Sequence, residues 1–396
     1  MQTNRSGRSI YIKRLCVLLI AVSLIAGMVG CNGGSAEEPV YFADSNLEEA
    51  IRAAINKLAG DIYPSNLAGL NTFSASRWNI SNIAGLEHCT DLTDLDLDHN
   101  QITDISPLAN LTNLTYLRLD HNQIADVSPL AHLTNLIDLD LDDNQITDIS
   151  PLADLTNLTD LDLNRNQITD ISPLVDLTSL RHLYLYGNQI SDISPLASLT
   201  SLEFLYLWHN QVSDISPLAN LTSLVELALN INQITDISPL TSLTSLEVLD
   251  LYGNQITDIS PLADLTSLRH LYLYDNQISD ISPLASANLT NLELLFLQNN
   301  QISDISPLAS ANLTSLEWLD LYGNQISDIS PLASANLTNL ELLFLQNNQI
   351  SDISPLVENE GLGKLGIVYL VDNPLSDDSI NIYIPQLEAR GVTVHY

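Results

Sequence analysis

The stretch LTDLDLDHNQITDISPLANLTN, residues 92–113, decides how the chain is read. Its apolar residues are Leu92, Leu95, Leu97, Ile102, Ile105, Leu108 and Leu111, with Asn100 between them. From Asp94 to Asp98 the alternation has period two, the mark of a strand with one buried face. Leu95 and Leu97 then turn inward, and Asp94, Asp96 and Asp98 turn outward. A strand this short cannot bury its own leucines, so it needs neighbours with the same pattern.

Those neighbours follow at once. The pattern restarts at Leu114 and recurs every 22 residues, at Leu136, Leu158, Leu180, Leu202, Leu224, Leu246 and Leu268. It continues at Leu292, Leu316 and Leu340 with a spacing of 24, the longer units carrying an extra Ser-Ala as in Ala285-Ser286-Ala287-Asn288. Two weaker copies flank the array. The first places Leu70, Phe73, Ala75, Ile80, Ile83, Leu86 and Cys89 in the apolar columns and Trp78 in the Asn column; the last has Leu365, Val368, Leu370, Asn373 and Leu375. This pattern resembles the leucine-rich repeat, LxxLxLxxNxI, and its 22-residue form with a Pro-Leu turn is similar to the internalin-like repeats of bacterial surface proteins. The resemblance implies an α/β-type solenoid of about 14 units over residues 70–376. It would be a horseshoe, with a parallel β-sheet on the concave face and short helical or irregular segments on the convex side.

Within each unit the polar positions have structural duties. The Asn column, Asn100 to Asn373, is expected to turn inward and satisfy backbone groups where the strand ends. Ser106-Pro107 and its equivalents read as an N-cap followed by Pro in the first turn of a helical segment. Twelve aspartates, Asp104 to Asp352, recur just before that turn, and capping of local N–H groups is expected of them rather than a cation-binding ladder.

Solenoid ends expose the core and need caps. Residues 44–69 read as a helical N-terminal cap: Ser45-Asn46-Leu47-Glu48 is a capping box, and Leu47, Ile51, Ala54, Ile55 and Leu58 form one apolar stripe. Residues 377–396 read as the C-terminal cap, a short helix after Asp377 and Asp378 that ends at Gly391, then a last strand over Val392–Tyr396.

The N-terminus reads as a signal peptide of residues 1–30. Arg5, Arg8, Lys13 and Arg14 precede an apolar run from Leu15 to Ala26, too short to be a spanning helix. Met28-Val29-Gly30-Cys31 resembles a lipobox, although Met28 stands where Leu or Val is usual. That resemblance implies cleavage before Cys31, lipidation of its thiol, and a tether over residues 31–43. The mature chain would then be an extracytoplasmic lipoprotein of the bacterial cell envelope or surface, held to the membrane through its acyl chains alone.

Charge narrows the partners. With 13 basic against 48 acidic residues the formal net charge is −35, which excludes nucleic acid as a partner, because a grip on phosphates needs Lys and Arg. No nucleophile elbow, phosphate loop or zinc-type Cys/His cluster is present, and the aspartates of an open ladder lie in water. An enzyme is therefore not expected, and neither a cofactor nor a metal site is assigned. His99 and His121 share one outward position beside Asp98, Asp120 and Asp143 and read as solvated side chains, with a surface metal site as the alternative. Cys89 stands in a Leu column and reads as a packing residue.

The outward strand positions are the ones that the repeat leaves free. In the units from Leu92 to Leu158 they are mostly acidic: Asp94, Asp96, Asp98, Asp120, Asp138, Asp140, Asp142, Asp160 and Asp162, with Arg118 between Asp96 and Asp140. A basic ligand and a merely soluble face are both consistent with this cluster. Farther along the positions turn aromatic. Tyr184, Tyr186, Phe204, Tyr206, Trp208, Tyr252, Tyr272, Tyr274, Phe296, Trp318, Tyr322 and Phe344, with Tyr116, are all the aromatics between Leu92 and Leu345. Duplication contributed some of them, since Asp264–Tyr274 repeats Asp176–Tyr186 and Asn339–Leu356 repeats Asn291–Leu308. These twelve are the expected ligand-binding residues, because an exposed aromatic surface marks a binding site. The expected function is recognition of a protein ligand by a monomeric receptor, with adhesion as one outcome. Glycan binding and a scaffold without a ligand are the alternatives.

Overall fold

The fold follows from one economy: each unit makes three residues of strand, turns the chain, and returns along the opposite side. The computed structural model describes residues 37–396; the expected signal peptide, Cys31 and the first part of the expected tether lie outside the described residues. Fifteen strands form one open parallel sheet whose spatial order is the order of the chain. Asp94–Asp96 is typical, with Leu95 buried between two half-buried aspartates, and it pairs with Tyr116–Arg118 in the register Leu95 to Leu117. The register is unbroken along the array, so each outward position forms a column running from unit to unit.

On the convex side the chain makes a single 3₁₀ turn in most units. Asp104 Oδ1 accepts the Ser106 N–H at 2.8 Å, and Pro107 stands in the turn Ser106–Leu108. The same contact recurs at Asp236 to Ser238 and at Asp352 to Ser354, 2.8 Å each. The aspartate is thus the residue that tethers the turn, and the serine supplies the N–H. Between sheet and turns the Leu and Ile columns are stacked out of solvent, as at Leu227, Leu229, Ile234 and Leu240.

The Asn column closes the bend. Asn232 Nδ2 donates to the carbonyls of Leu207 and Leu229 at 3.0 Å each, and its Oδ1 accepts the Val212 N–H at 2.9 Å. One buried side chain therefore satisfies backbone groups in two units. In the 24-residue units the geometry persists: Asn300 Nδ2 still reaches Leu273 O at 3.0 Å, and Ala311 and Leu313 are buried where the insertion sits. The extra Ser-Ala is absorbed by the convex segment, and the sheet does not register it.

At the N-terminal end the helix Ser45–Ala54 covers the array, and its capping differs from expectation. Asp44, not Ser45, is the N-cap: its Oδ1 accepts from Asn46 and Leu47, and its Oδ2 accepts from Ser81 N at 2.8 Å. One carboxylate can serve the helix and the first unit together, which a serine hydroxyl cannot. The expected apolar stripe also shortens. Leu47 and Ile51 are buried and Ile55 partly so, but the helix stops at Ala54, Asn56 is left-handed, and Leu58 is 83% exposed. Phe42 packs over Gly85, where a Cβ would lie 2.6 Å from its ring; Gly85 is also left-handed, so this junction requires glycine.

At the other end Ile384 and Leu387 close the core, Gly391 has φ +90°, and Thr393–His395 adds the last strand. Cys89 is a free, fully buried thiol, and burial pushes it up to about 12, as befits a packing residue. Among the described residues no helix is long and apolar enough to cross a membrane.

Candidate functional site: the concave sheet

Three outward columns line the sheet. The central one runs Ser74, Asp96, Arg118, Asp140, Asp162, Tyr184, Tyr206, Ala228, Asp250, Tyr272, Phe296, Asp320, Phe344, Tyr369, His395. Side chains in one column stand about 4.8 Å apart, close to the thickness at which aromatic rings stack. The sequence therefore dictates columns, and ring packing decides what they present.

In the first half the column is carboxylate-rich. Burial, then the neighbouring Asp120 carboxylate, pushes Asp140 up to about 7; burial, then Asp140, pushes Asp162 up to about 8. Both also accept a backbone N–H two residues on, from Asp142 at 3.1 Å and Asn164 at 2.9 Å. The cluster is cross-braced by Arg165, which donates to Asp142 and to the Tyr186 hydroxyl, the latter at 2.5 Å.

Beyond Asp162 the face is aromatic, and the structure brings the expected residues together in pairs. Tyr186 and Trp208 stack at 4.1 Å with planes 5° apart, Tyr252 and Tyr274 at 4.2 Å and 8°, Tyr272 and Phe296 at 5.2 Å and 7°. Tyr184 with Tyr206 and Phe296 with Trp318 meet edge to face, at 5.0 and 6.4 Å. Stacking covers ring faces. Tyr186 is only 7% exposed, so it supports Trp208 and offers little surface of its own, whereas Trp318 and Tyr322 are each 38% exposed. Tyr184, Phe204, Tyr206, Trp208, Tyr252, Tyr272, Tyr274, Phe296 and Phe344 are half-buried. Burial pushes the hydroxyls of Tyr272 and Tyr274 up, so both stay protonated donors.

The strip is interrupted. Glu226, Ala228 and Asn230 take the three outward positions of one unit, and Ala228 stands between Tyr206 and Asp250. Glu226 accepts the Tyr206 hydroxyl at 2.5 Å, and Asn230, buried, has a side-chain oxygen without a hydrogen-bond partner. The aromatic face is therefore two islands with a small polar gap.

Two features escaped the sequence reading. The stack continues past Phe344 into the C-terminal cap, through Tyr369 at 4.8 Å to His395 at 4.6 Å. The position before each inward Asn is also left-handed in every full unit: His99, His121, Asp143, Arg165, Gly187, His209, Ile231, Gly253, Asp275, Asn299, Gly323 and Asn347. The signal was present, since Gly, Asn and Asp recur there, as left-handed backbone prefers. It places the side chains of His99, His121 and Arg165 on the rim of the sheet, beside the acidic columns.

A family model described as "Leucine Rich repeats (2 copies)" matches in overlapping pairs from residues 90–132 to 244–286 and again over 314–358, and one described as "Leucine rich repeat" matches residues 266–326. The chain belongs to the leucine-rich repeat family. Within that family it is internalin-like. It is 40% identical to an internalin (inlF) from Listeria monocytogenes over 89% of this chain and 95% of that one, with a TM-score of 0.71. The functional domain of InlJ from Listeria monocytogenes, which includes a cysteine ladder, is 25% identical over 83% of this chain and 79% of that one, TM-score 0.61. This repeat array has one cysteine among its described residues, Cys89, and hence no ladder. The LRR protein LIC12759 of Leptospira interrogans shares the fold at 23% identity, covering 84% of this chain and 97% of that one, TM-score 0.69. No curated protein matches the chain by sequence.

Proposed function

We propose that this leucine-rich repeat array is a non-catalytic receptor at the bacterial cell surface that recognises a protein ligand through its concave sheet. One observation carries the reading: between Leu92 and Leu345 the Phe, Tyr and Trp side chains are confined to the outward columns, and most are stacked in pairs along them. Rings stacked from strand to strand stand on edge, so they offer C–H edges and hydroxyls toward the concavity, with few open faces. A sugar ring needs an open aromatic face to lie on, and in Tyr186–Trp208 and Tyr252–Tyr274 each ring has given one of its two faces to the other. A protein surface, with its mixture of apolar and polar groups, fits this mosaic better. The sheet, at about 4.8 Å per strand, is long enough for a folded domain.

Trp208 and Trp318 are proposed as anchors, because buried indoles dominate such interfaces and neither fills the core. Surface capture of a partner by wild type, then titration against Trp208→Ala and Trp318→Ala, tests this. Affinity should fall by about 2 kcal/mol in each variant while the melting curve hardly moves. Unchanged affinity in both variants, or signals on a glycan array that the same variants abolish, would overturn the protein-ligand reading. Attachment by an acylated Cys31 is part of the proposal; Cys31→Ser should then leave the detergent phase, and equal partitioning of mutant and wild type would remove it.

A further inference from the structure

The sequence reading assigned no metal site, yet the rim of the acidic half carries a constellation with metal-ligand chemistry. His99 and His121 occupy equivalent left-handed positions in adjacent units, with φ of 52° and 53°. Their rings stack at 4.0 Å and 8°. Both Nδ1 atoms face one carboxylate oxygen: Asp120 Oδ2 lies 3.0 Å from His121 Nδ1 and 3.7 Å from His99 Nδ1. One ligand atom from each of the three residues lies within 4.8 Å of the other two. Tetrahedral zinc, with bonds of about 2.0–2.2 Å, holds its ligand atoms about 3.3–3.5 Å apart, between the two distances found here.

The surroundings favour a dication. Asp98 Oδ2 lies 3.0 Å from His99 Nδ1, Asp143 lies 3.4 Å from His121 Nε2, and Asp142 contacts Arg165. Four carboxylates, Asp98, Asp120, Asp142 and Asp143, meet two guanidinium groups, those of Arg77 and Arg165. With neutral imidazoles the local excess is two negative charges, which a divalent ion would cancel. Buried oxygens of Asp98 and Asp142 have no hydrogen-bond partner, so the acceptors here outnumber the donors.

We propose that His99, Asp120 and His121 bind Zn²⁺ through the two Nδ1 atoms and one carboxylate oxygen, leaving a tetrahedral position open. Arg77 and Arg165 now point at the two Nε2 atoms, at 3.0 and 3.3 Å, and a guanidinium can only donate. A neutral imidazole that accepts through Nε2 carries its proton on Nδ1. Loading moves it to Nε2, turns the guanidinium groups away, and rotates the rings so that their parallel Nδ1 lone pairs converge; the stacked pair opens.

The test uses the full chain, stripped with a chelator and titrated with Zn²⁺ alone. His99→Asn and His121→Asn are the variants of choice, because Asn tolerates left-handed backbone and preserves the turn. His209→Asn is the control: His209 has the same repeat position, but its neighbours there are Gly187 and Ile231. One Zn²⁺ per chain should bind, with affinity lowered at least about tenfold in either of the first two variants and unchanged in the control. The ring ¹⁵N signals of His99 and His121 should shift together as the ion is added. Absence of stoichiometric binding, wild-type affinity in His99→Asn or His121→Asn when the melting curves match wild type, or ring signals that stay put would overturn the assignment.

Discussion

Asp162 and Tyr184 stand directly across from each other on neighbouring strands, and between them the concave face changes from carboxylate to aromatic. The change occurs without any break in register, because the buried neighbours Leu161 and Leu183 are the same residue in the same column. Core and face are thus separable in this fold: a face can be rewritten one outward residue at a time while the leucines hold the solenoid.

Asp162 makes stability depend on pH. Its carboxyl is pushed up to about 8 by burial and by Asp140, while in the unfolded chain it returns to the ordinary value of 3.8. Below that value both states carry the proton; from there to about 8 the folded state alone keeps it, so stability falls as pH rises through this window. Asp162→Asn removes the dependence at this position. Urea melts at acid and mildly alkaline pH should show a smaller loss for the variant than for wild type, and parallel losses would mean that Asp162 is ionised in the folded protein.

Asn232 tests the inward column. Its side chain joins the Leu207 and Leu229 carbonyls to the Val212 N–H, so Asn232→Ala leaves buried backbone groups unpaired and should cost about 2–3 kcal/mol. Asp104→Asn keeps an oxygen for the exposed Ser106 N–H and should cost under about 0.5 kcal/mol. Equal shifts in the urea midpoint would contradict the division of labour.

Ile231 carries a φ of 52° on a β-branched residue that is 39% exposed. Left-handed backbone costs such a residue about 1–2 kcal/mol, and Asn pays little of it. Ile231→Asn, matching Asn299 and Asn347 at the equivalent position, should therefore raise stability by about 1 kcal/mol. A lower urea midpoint would show that Ile231 packs against its neighbours strongly enough to outweigh the backbone.

These residues also show what the sequence discloses. The Leu columns and Asn232 were legible because they recur at fixed spacing, and a recurring inward position admits few alternatives. The turn aspartates were legible for the same reason. Asp44 was not, because it lies beside Ser45 and both are good N-caps; the choice depended on the reach from Asp44 to Ser81 across the cap. The outward aromatics were legible as a set, but not their exposure. Tyr186 is buried and Trp318 open because rings pack on the neighbouring strand, and side-chain rotation is not written in a period.

The central claim, recognition through the concave sheet, is tested most directly by photo-crosslinking at two positions of comparable exposure. Trp318, 38% exposed, lies on the concave strip, and Val175, 43% exposed, follows the 3₁₀ turn Ser172–Leu174 on the convex side. With a photoreactive phenylalanine at each position in turn, partner adducts should form at Trp318 and be absent at Val175. Adducts at Val175 with none at Trp318 would contradict it.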